Sequence, residues 1–160
     1  MRTANNIFKR KHILIYGLGK SGISSLKYLK KSNFIKVYDD NNSVFDKHLV
    51  KYQVNKSYIN KTNFDYILVS PGIDIKKCKI KLYLKKNIKK IITDFDVFYL
   101  ENPKNLNITI TGTNGKSTSC KLLHDILRKL KKDARLVGNI GNPILNEKNI
   151  KKNTIFVIEA

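Results

Sequence analysis

The stretch Asn107–Thr118, which reads N-I-T-I-T-G-T-N-G-K-S-T, constrains the fold of this chain more than any other. A β-branched apolar run leads into Gly112, Gly115 and Lys116, and a strongly periodic helical pattern follows. A strand, a glycine-rich turn, Lys-Ser/Thr and a helix form the layout of a phosphate-binding loop. The glycines let backbone N–H groups converge on phosphate oxygens, and the helix N-terminus adds partial positive charge. The sequence therefore predicts a nucleotide-binding α/β fold.

The spacing within this loop is unusual. Four residues usually separate the first glycine from the Gly-Lys pair, whereas only Thr-Asn lies between Gly112 and Gly115. The loop is a compact variant, so an ordinary P-loop GTPase or kinase is a poor fit. In such a loop Lys116 is placed to reach the β/γ-phosphates, and the hydroxyl of Ser117 is placed to hold Mg²⁺.

A second glycine-rich turn lies near the N-terminus. The apolar run Ile13–Tyr16, as expected for a strand buried on both faces of a parallel sheet, leads into Gly17–Gly22, which fits G-x-G-x-x-G. A helical pattern follows, then a strand over Ile35–Tyr38, and Asp39 comes 22 residues after Gly17. This spacing is close to the ~20 residues of the dinucleotide fingerprint and predicts a nucleotide site. The alternative is that these glycines only permit tight helix–strand packing.

A third turn, Ser70-Pro71-Gly72, follows the predicted buried strand Tyr66–Val69. In open α/β sheets the ligand crevice lies at the carboxyl ends of the strands. Gly17–Gly22, Asp39 and the Ser70 turn all follow strands, so we expect one crevice to gather them. The alternative for the Ser70 turn is that its proline and glycine merely reverse the chain.

The remaining patterns set the expected architecture. A helix is predicted over Lys76–Lys86 with its lysines outward, a short strand over Ile91–Ile92, and a helical turn or two over Asp94–Leu100. The sequence predicts an α/β fold: a Rossmann-like N-terminal domain with a parallel sheet over residues 1–93, then the start of a P-loop-type ATP-binding α/β domain over residues 94–160.

The C-terminal third continues the second α/β pattern. An amphipathic helix is predicted after the phosphate loop, with one apolar stripe formed by Leu122, Leu123, Ile126, Leu127 and Leu130. Strands are predicted at Ala134–Val137 and Ile155–Ile158, and Glu159 follows the last one, where a nucleotide enzyme places a Mg²⁺-related acid. A sheet that stops there has few strands and an exposed edge, so we expect the chain to be part of a longer protein.

Charge is the most unusual property of the composition. The net charge is +20 with a pI near 10.0, and 28 of the 32 basic residues are lysines. They are scattered through helix-like segments, which favours a solvated lysine surface; a polyanion site is the alternative. Cys78 and Cys120 suit neither a disulfide framework nor a metal site, and no apolar run approaches ~18 residues. We expect a reduced, cytoplasmic monomer with no specific nucleic acid partner and no membrane span.

Several motifs together resemble the Mur ligase family of peptidoglycan synthesis. They are Gly17–Gly22, Ser70–Ile73, Thr111–Thr118, Gly138–Gly141 and Val157–Ala160, and the resemblance covers nearly the whole chain. The T-G-T-N-G-K-S/T string is typical of Mur ligases and their folylpolyglutamate synthase relatives. The first two motifs are closest to the member that adds D-glutamate to UDP-N-acetylmuramoyl-L-alanine.

The resemblance implies roles for individual residues. It implies a first domain that binds the UDP part of the substrate and a second that binds ATP and Mg²⁺. The implied UDP-substrate residues are Gly17, Gly19, Lys20, Ser21, Gly22, Asp39, Ser70, Pro71, Gly72 and Asn139. The implied ATP-binding residues are Gly112, Thr113, Asn114, Gly115, Lys116, Ser117 and Thr118, with Lys116 also catalytic and Ser117 and Glu159 on the metal.

The implied activity is an ATP-dependent amide ligation through an acyl phosphate, and we expect this portion alone not to complete it. One competing hypothesis is a nicotinamide- or flavin-dependent oxidoreductase that uses the first glycine motif. Another is a nucleic-acid-binding module that uses the +20 charge. The first leaves Thr111–Thr118 unexplained, and the second lacks an interleaved aromatic and basic pattern. His12, His48 and His124 have no metal-like spacing, and we expect His124 to face outward.

Overall fold

The computed structural model describes residues 6–160, which form two compact units: a first unit ending at Glu101 and a second unit over Asn102–Ala160. Every strand pair in the two sheets is parallel. The predicted α/β class with parallel sheets is therefore confirmed. The predicted boundary after residue 93 lies eight residues before the observed division. Residues 1–5 of the predicted first domain lie outside the described residues.

The first unit is built on a four-stranded sheet in the order β2-β1-β3-β4. The two central strands are almost wholly buried, as their continuous apolar sequences predict. The elements of this unit are β1 (His12–Tyr16), α1 (Lys20–Leu29), β2 (Phe34–Tyr38), α2 (Lys56–Lys61), β3 (Tyr66–Val69), α3 (Lys81–Lys86), β4 (Ile91–Ile92) and α4 (Asp94–Glu101).

Helix α1 lies close to β1 because its inward positions are small. Gly22, Ser24 and Ser25 are buried together with Leu26 and Leu29. On this unit's sheet lies a hydrophobic core cluster of buried side chains: Leu14, Tyr16, Tyr38, Ile59, Phe64, Ile67, Val69, Cys78, Ile80 and Leu84. The first strand thus contributes apolar side chains to a packed core, and the glycine turn that follows it is anchored on that core.

Helix α4 has a clear start signal that explains why it belongs to the first unit. The Asp96 carboxylate accepts hydrogen bonds from the backbone N–H and hydroxyl of Thr93, and the Thr93 hydroxyl accepts from the Asp96 N–H. This reciprocal arrangement is a capping box. From that start α4 packs against α1, and it is part of the first unit.

The predicted helix over Lys76–Lys86 is shorter than expected, because α3 begins only at Lys81. Leu82 is 71% exposed, whereas Leu84 is fully buried. These leucines are two positions apart, so they lie about 200° apart around a helix of 3.6 residues per turn and cannot share a face.

The second unit contains β5 (Leu106–Ile110), α5 (Lys116–Lys129), β6 (Ala134–Gly138) and β7 (Ile155–Glu159). Its strands are ordered β5-β7-β6, with the C-terminal strand in the centre. Helix α5 is confirmed, but the predicted stripe is only partly buried: Leu122, Ile126 and Leu130 are exposed. Cys120 is buried, and Leu123 and Leu127 of the stripe are half-buried. His124, which was expected to face outward, is half-buried, and its ring contacts the exposed Asp125. The three-stranded sheet covers only one side of α5.

Candidate functional site

The glycine turn after β1 has a fixed shape. Gly17 has φ +96°, and a Cβ there would lie 2.9 Å from the Cβ of Ser70. A Cβ on Gly22 would lie only 1.8 Å from the Gly17 carbonyl oxygen. These two positions therefore require glycine, one for its conformation and both for space. Gly19 differs: a Cβ there would meet nothing within 4 Å, and the residue is the N-cap of α1 without a side-chain cap.

Asp39 joins this turn to the end of β2. Its two carboxylate oxygens accept hydrogen bonds from the backbone N–H groups of Leu18, at 2.7 Å, and Asn41, at 2.8 Å. The Gly17 N–H donates to the Tyr38 carbonyl oxygen at 2.9 Å, which adds a second link between the same segments. The Asp39 carboxylate thus links the glycine turn to the backbone that follows β2.

Ser70 and Ser21 connect the same turn to other elements of the first unit. The buried Ser70 hydroxyl donates to the Gly17 carbonyl oxygen at 2.8 Å. The Ser21 hydroxyl donates to the carboxylate of Asp94, which is buried at the start of α4. The structure therefore brings Gly17, Asp39 and Ser70 together, as the sequence predicts. Lys20, Pro71 and Gly72 are exposed.

A cleft of about 790 Å³ lies beside the carboxyl end of β2. Of the predicted UDP-substrate residues only Asp39 lines it; the other lining residues are Tyr38, Asp40, Asn42, Val50, Gln53, Val54, Asn55, Lys56 and Lys79. The Asp40 carboxylate accepts a hydrogen bond from the Tyr16 hydroxyl at 2.8 Å, and the Lys79 ammonium donates to the Asp40 carbonyl oxygen at 2.7 Å. This cleft has the polar, open lining of a site for a hydrophilic ligand.

Tyr38, which lines this cleft, and Tyr16, which donates to Asp40, remain neutral at physiological pH. Burial, together with the charge of Asp40 and its hydrogen bond, raises the pKa of Tyr38 to about 12. Burial also raises the pKa of Tyr16 far above its usual value, with the hydrogen bond to Asp40 adding to the effect. Their ring centroids lie 5.4 Å apart, and the rings pack against each other at a tilt.

The predicted phosphate loop connects β5 to α5 and is exposed along its glycine-rich part. Gly112 has φ +148° and Gly115 has φ +77°; Gly115 is the N-cap of α5 in a left-handed conformation. The Lys116 ammonium donates to the Gly112 carbonyl oxygen across the loop. The exposed glycine-rich loop thus leads directly into the N-terminus of a 14-residue helix, an arrangement that suits an anion.

Ser117 and Glu159 meet beside this loop. The Ser117 hydroxyl lies 3.0 and 3.1 Å from the two carboxylate oxygens of Glu159, a residue only 6% exposed at the end of β7. The carboxylate charge and burial together raise the pKa of the neighbouring Cys120 thiol, burial being the larger cause. Within residues 6–160 no three His, Cys, Asp or Glu side chains gather as metal ligands.

Asn139 is held at the same end of the second sheet. Its backbone N–H donates to the Glu159 carbonyl oxygen at 3.1 Å. A Cβ on Gly138 would lie 2.3 Å from that same oxygen, so glycine is required for β6 and β7 to end side by side. A backbone hydrogen bond therefore joins the predicted residues Asn139 and Glu159, although they are 20 positions apart in the sequence.

Three supporting residues were missed by sequence reasoning. The Asp94 carboxylate accepts a hydrogen bond from the Ser21 hydroxyl, and the Asp40 carboxylate accepts one from the Tyr16 hydroxyl. Arg135 anchors the loop between β6 and β7 by donating to the Glu147 carboxylate at 2.9 Å and to the backbone carbonyl oxygen of Asn149 at 3.1 Å. The Asp-Asp pair after β2 was the only sequence signal for Asp40, and nothing local marked the other two.

The fold and these turns define a class of protein. Each unit carries a parallel sheet with a glycine-rich turn between a strand and a helix N-terminus, which is the framework of a nucleotide-binding α/β protein. Among the described residues, no helix is both long and apolar enough to cross a bilayer.

Comparison with known proteins identifies the family. Residues 11–92 match the family model described as the N-terminal domain of MurD-like Mur ligases. The chain is 39% identical over 159 residues to the UDP-N-acetylmuramoylalanine–D-glutamate ligase of Rickettsia bellii, covering 96% of this chain and 35% of that protein. It is 34% identical over 151 residues to the ligase of the same name from Clostridioides difficile, covering 86% and 33%.

A third relative, the ligase of the same name from Buchnera aphidicola, is 36% identical over 162 residues, which covers 95% of this chain and 36% of that protein. The chain belongs to the MurD-like Mur ligase family. It spans about a third of the length of these curated relatives.

Proposed function

We propose that this chain forms the UDP-substrate-binding domain and the first part of the ATP-binding domain of an ATP-dependent ligase. The reaction joins D-glutamate to UDP-N-acetylmuramoyl-L-alanine through an acyl phosphate. The observation that carries the proposal is the exposed loop from β5 to α5, in which Lys116 precedes Ser117 and the latter contacts a buried carboxylate. The name shared by the relatives supports the choice of substrates.

In the first unit, the N-terminus of α1 would take the diphosphate. Gly19 caps this 10-residue helix without a side chain in front of it, so the N–H groups of Lys20 and Ser21 favour an anion there. Asp39 and Ser70 hold the turn in shape through their backbone hydrogen bonds. The adjoining cleft at the end of β2 has room for the uridine.

In the second unit, residues Gly112–Thr118 would bind the ATP phosphates through backbone N–H groups and the Lys116 ammonium. Ser117 and Glu159 fit a magnesium ion, because a hydroxyl and a buried carboxylate are hard oxygen ligands. Mg²⁺ sites commonly use one or two carboxylates, with waters and phosphate oxygens completing the shell. When bound, the ion neutralises phosphate charge.

The chemistry needs positioning and charge neutralisation from these residues. The substrate carboxylate oxygen attacks the γ-phosphorus, the bond to the bridging oxygen breaks, and ADP leaves. The D-glutamate amine then attacks the acyl carbon, loses a proton and expels phosphate. Lys116 exchanges its contact with the Gly112 carbonyl oxygen for the transferring phosphoryl group, whose spreading negative charge it stabilises.

A chimera tests the catalytic part of this proposal. Residues 1–160 replace the matching portion of the Rickettsia bellii ligase, and ADP release is measured with UDP-N-acetylmuramoyl-L-alanine and D-glutamate. We expect an active chimera whose Lys116→Ala variant loses about 10²–10³ in kcat, as for removal of a charge-stabilising group. The matched control is Lys121→Ala, an exposed lysine one turn further along α5. Equal turnover of the Lys116→Ala and control chimeras would refute the role of Lys116.

The 160-residue chain alone tests the binding part. Titration calorimetry should show weak binding of UDP-N-acetylmuramoyl-L-alanine, and no ADP should form on adding ATP, Mg²⁺ and D-glutamate. The competing oxidoreductase hypothesis predicts binding of NAD instead. Because both Asp39 carboxylate oxygens already accept backbone N–H groups, we expect no NAD binding. Binding of NAD without the UDP-sugar would overturn our proposal.

A further inference from the structure

The lysines of the first unit are concentrated in one segment. Eight of the 15 residues in Lys76–Lys90 are lysines, whereas the whole chain has 28 lysines in 160 residues. No Asp or Glu occurs between Asp74 and Asp94. The local density is about threefold above the chain average, so general lysine enrichment of the composition does not account for it.

Helix α3 presents these charges on one side. Leu84 is buried against the core, whereas Lys81, Lys85 and Lys86 are exposed. Positions 81 and 85 are four residues apart, as are 82 and 86, so each pair lies on one face of the helix. Among the described residues, none of these three lysines forms an ion pair.

Two aliphatic side chains stand among these lysines. Leu82 is 71% exposed and Ile88 is 61% exposed. Leu82 and Lys86 also line a shallow depression of about 510 Å³ together with Lys61. We call Lys61, Lys81, Leu82, Lys85, Lys86 and Ile88 the α3 patch. The α3 patch thus combines lysines that form no ion pair among the described residues with aliphatic side chains that are exposed to water.

The α3 patch lies away from the predicted ligand edge. Thr62 and Asn63, in the same depression, precede β3, and Ile88 precedes β4. Gly17, Asp39 and Ser70 all follow strands. Because the strands are parallel, the patch borders the amino ends and the glycine turn borders the carboxyl ends. An occupant of the patch leaves the cleft at β2 open.

We propose that the α3 patch docks on an anionic phospholipid bilayer. Lysines attract a negatively charged lipid surface, and Leu82 and Ile88 supply aliphatic groups that enter the boundary between headgroups and acyl chains. A single-stranded nucleic acid would instead require accessible aromatic rings for base stacking. Tyr83, the aromatic residue of the depression, is half-buried, and its hydroxyl donates to the Thr62 carbonyl oxygen at 3.1 Å. The proposal is independent of the ligase function.

Vesicle co-sedimentation tests this proposal with the 160-residue chain. The vesicles contain phosphatidylglycerol and phosphatidylcholine in equal parts, or phosphatidylcholine alone. We expect binding to the anionic vesicles only, and its loss as the ionic strength rises from ~0.1 M to ~1 M, since the Debye length falls from ~10 Å to ~3 Å. The variant Lys81→Gln, Lys85→Gln, Lys86→Gln should bind about a hundredfold more weakly, about fivefold for each lysine.

A matched control removes the same charge elsewhere. The variant Lys121→Gln, Lys129→Gln, Lys132→Gln lies in the second unit, where exposed aliphatic side chains also occur on α5. We expect it to reduce vesicle binding several-fold less than the patch variant does. An equal loss in both variants would show that net charge alone drives binding and would overturn the proposal.

The aliphatic residues provide a second measurement at constant charge. Leu82→Ser with Ile88→Ser should weaken vesicle binding about tenfold, and far-UV circular dichroism should be unchanged because both side chains are exposed. Unchanged vesicle binding would contradict the proposal. So would the absence of vesicle binding by the unaltered chain, whether or not it binds single-stranded RNA in the same buffer.

Discussion

The glycine turn after β1 and the phosphate loop after β5 are similar in sequence but differ in structure. Gly17 and Gly22 are glycines because a Cβ would meet Ser70 or the turn's own backbone. At Gly112 a Cβ would meet only ordinary contacts, and at Gly115 it would meet nothing within 4 Å; both have positive φ. In the glycine turn, lack of space excludes a side chain at Gly17 and Gly22, and Gly17 also has a positive φ. In the phosphate loop, the positive φ alone disfavours a residue other than glycine at Gly112 and Gly115.

The difference teaches what each turn is suited to do. The glycine turn is held on several sides, by Asp39, by Ser70 and by the packing of α1, so contacts within the first unit fix its shape. The phosphate loop is exposed, and among the described residues the Lys116 ammonium donates to the Gly112 carbonyl oxygen of the same loop. Within residues 6–160, no hydrogen bond or ion pair joins this ammonium group to another element of the second unit.

The largest expected effect on stability comes from a substitution that disrupts the glycine turn. Gly22→Ala places a methyl group 1.8 Å from the Gly17 carbonyl oxygen, so α1 must move away from β1. We expect a loss of about 3–5 kcal/mol in the free energy of unfolding, measured by urea denaturation followed by circular dichroism. The control Gly19→Ala meets no atom within 4 Å and has φ −64°, so it should be neutral. Similar stabilities for the two variants would disprove the spatial constraint.

A smaller effect is expected from the hydroxyl that closes this turn. Ser70→Ala removes a buried donor to the Gly17 carbonyl oxygen and leaves that oxygen unsatisfied. The expected loss is about 1–2 kcal/mol in the free energy of unfolding. Ser43→Ala removes an exposed hydroxyl that contacts only Asn41, and it should change stability by less than about 0.5 kcal/mol. Denaturant midpoints at constant slope give the comparison, and a neutral Ser70→Ala would show that the link is dispensable.

At Gly115 of the phosphate loop, stability should depend on how well the new residue adopts a positive φ and not on the size of its side chain. Gly115→Ala introduces a methyl group into open space but forces an alanine to φ +77°, at a cost of about 1–2 kcal/mol. Gly115→Asn carries a larger side chain, yet asparagine tolerates the left-handed region, so it should be the more stable of the two. A lower melting temperature for the asparagine variant would mean that space limits this loop as well.

Local patterns predicted most of the framework. The runs Ile13–Tyr16 and Tyr66–Val69 became buried strands because a continuous apolar sequence suits a sheet covered on both faces. The spacing of Gly112 and Lys116 predicted a loop between a strand and a helix, and the structure has one. Each of these signals lies within a few residues of the chain, where sequence and local structure are directly coupled.

Contacts between distant residues could not be predicted in the same way. Ser21 meets Asp94 across 73 residues, and Arg135 reaches the Glu147 carboxylate through a loop. Periodicity also shows which side chains are apolar but not what covers them. Leu122 therefore satisfied the predicted stripe of α5 and is exposed nevertheless.

Acid should act on the loop between β6 and β7, where the Asp133 carboxylate accepts a hydrogen bond from the Thr154 hydroxyl and pairs with Arg135. The hydrogen bond from Thr154, with help from Arg135, lowers the pKa of Asp133 below its usual value. A lowered folded-state pKa stabilises the fold above the unfolded value of ~3.9, and this stability is lost as pH falls through the folded pKa. The protection of amides in residues 133–154, measured relative to their intrinsic exchange rates, should therefore fall below about pH 4, and Asp133→Asn should reduce that loss of protection. Identical pH profiles in the two proteins would contradict this assignment.

The smallest expected effect on stability concerns the lysine of the phosphate loop. Lys116→Ala removes one contact between an ammonium group and the Gly112 carbonyl oxygen at the surface, so the free energy of unfolding should change by less than about 0.5 kcal/mol. Lys121→Ala, on the exposed side of the same helix, is the reference. If Lys116→Ala instead destabilised the chain as strongly as Ser70→Ala, the lysine would be a structural tie. The contrast between the two turns would then fail, because the Lys116 contact would hold the phosphate loop together in the way that the Ser70 hydroxyl holds the glycine turn.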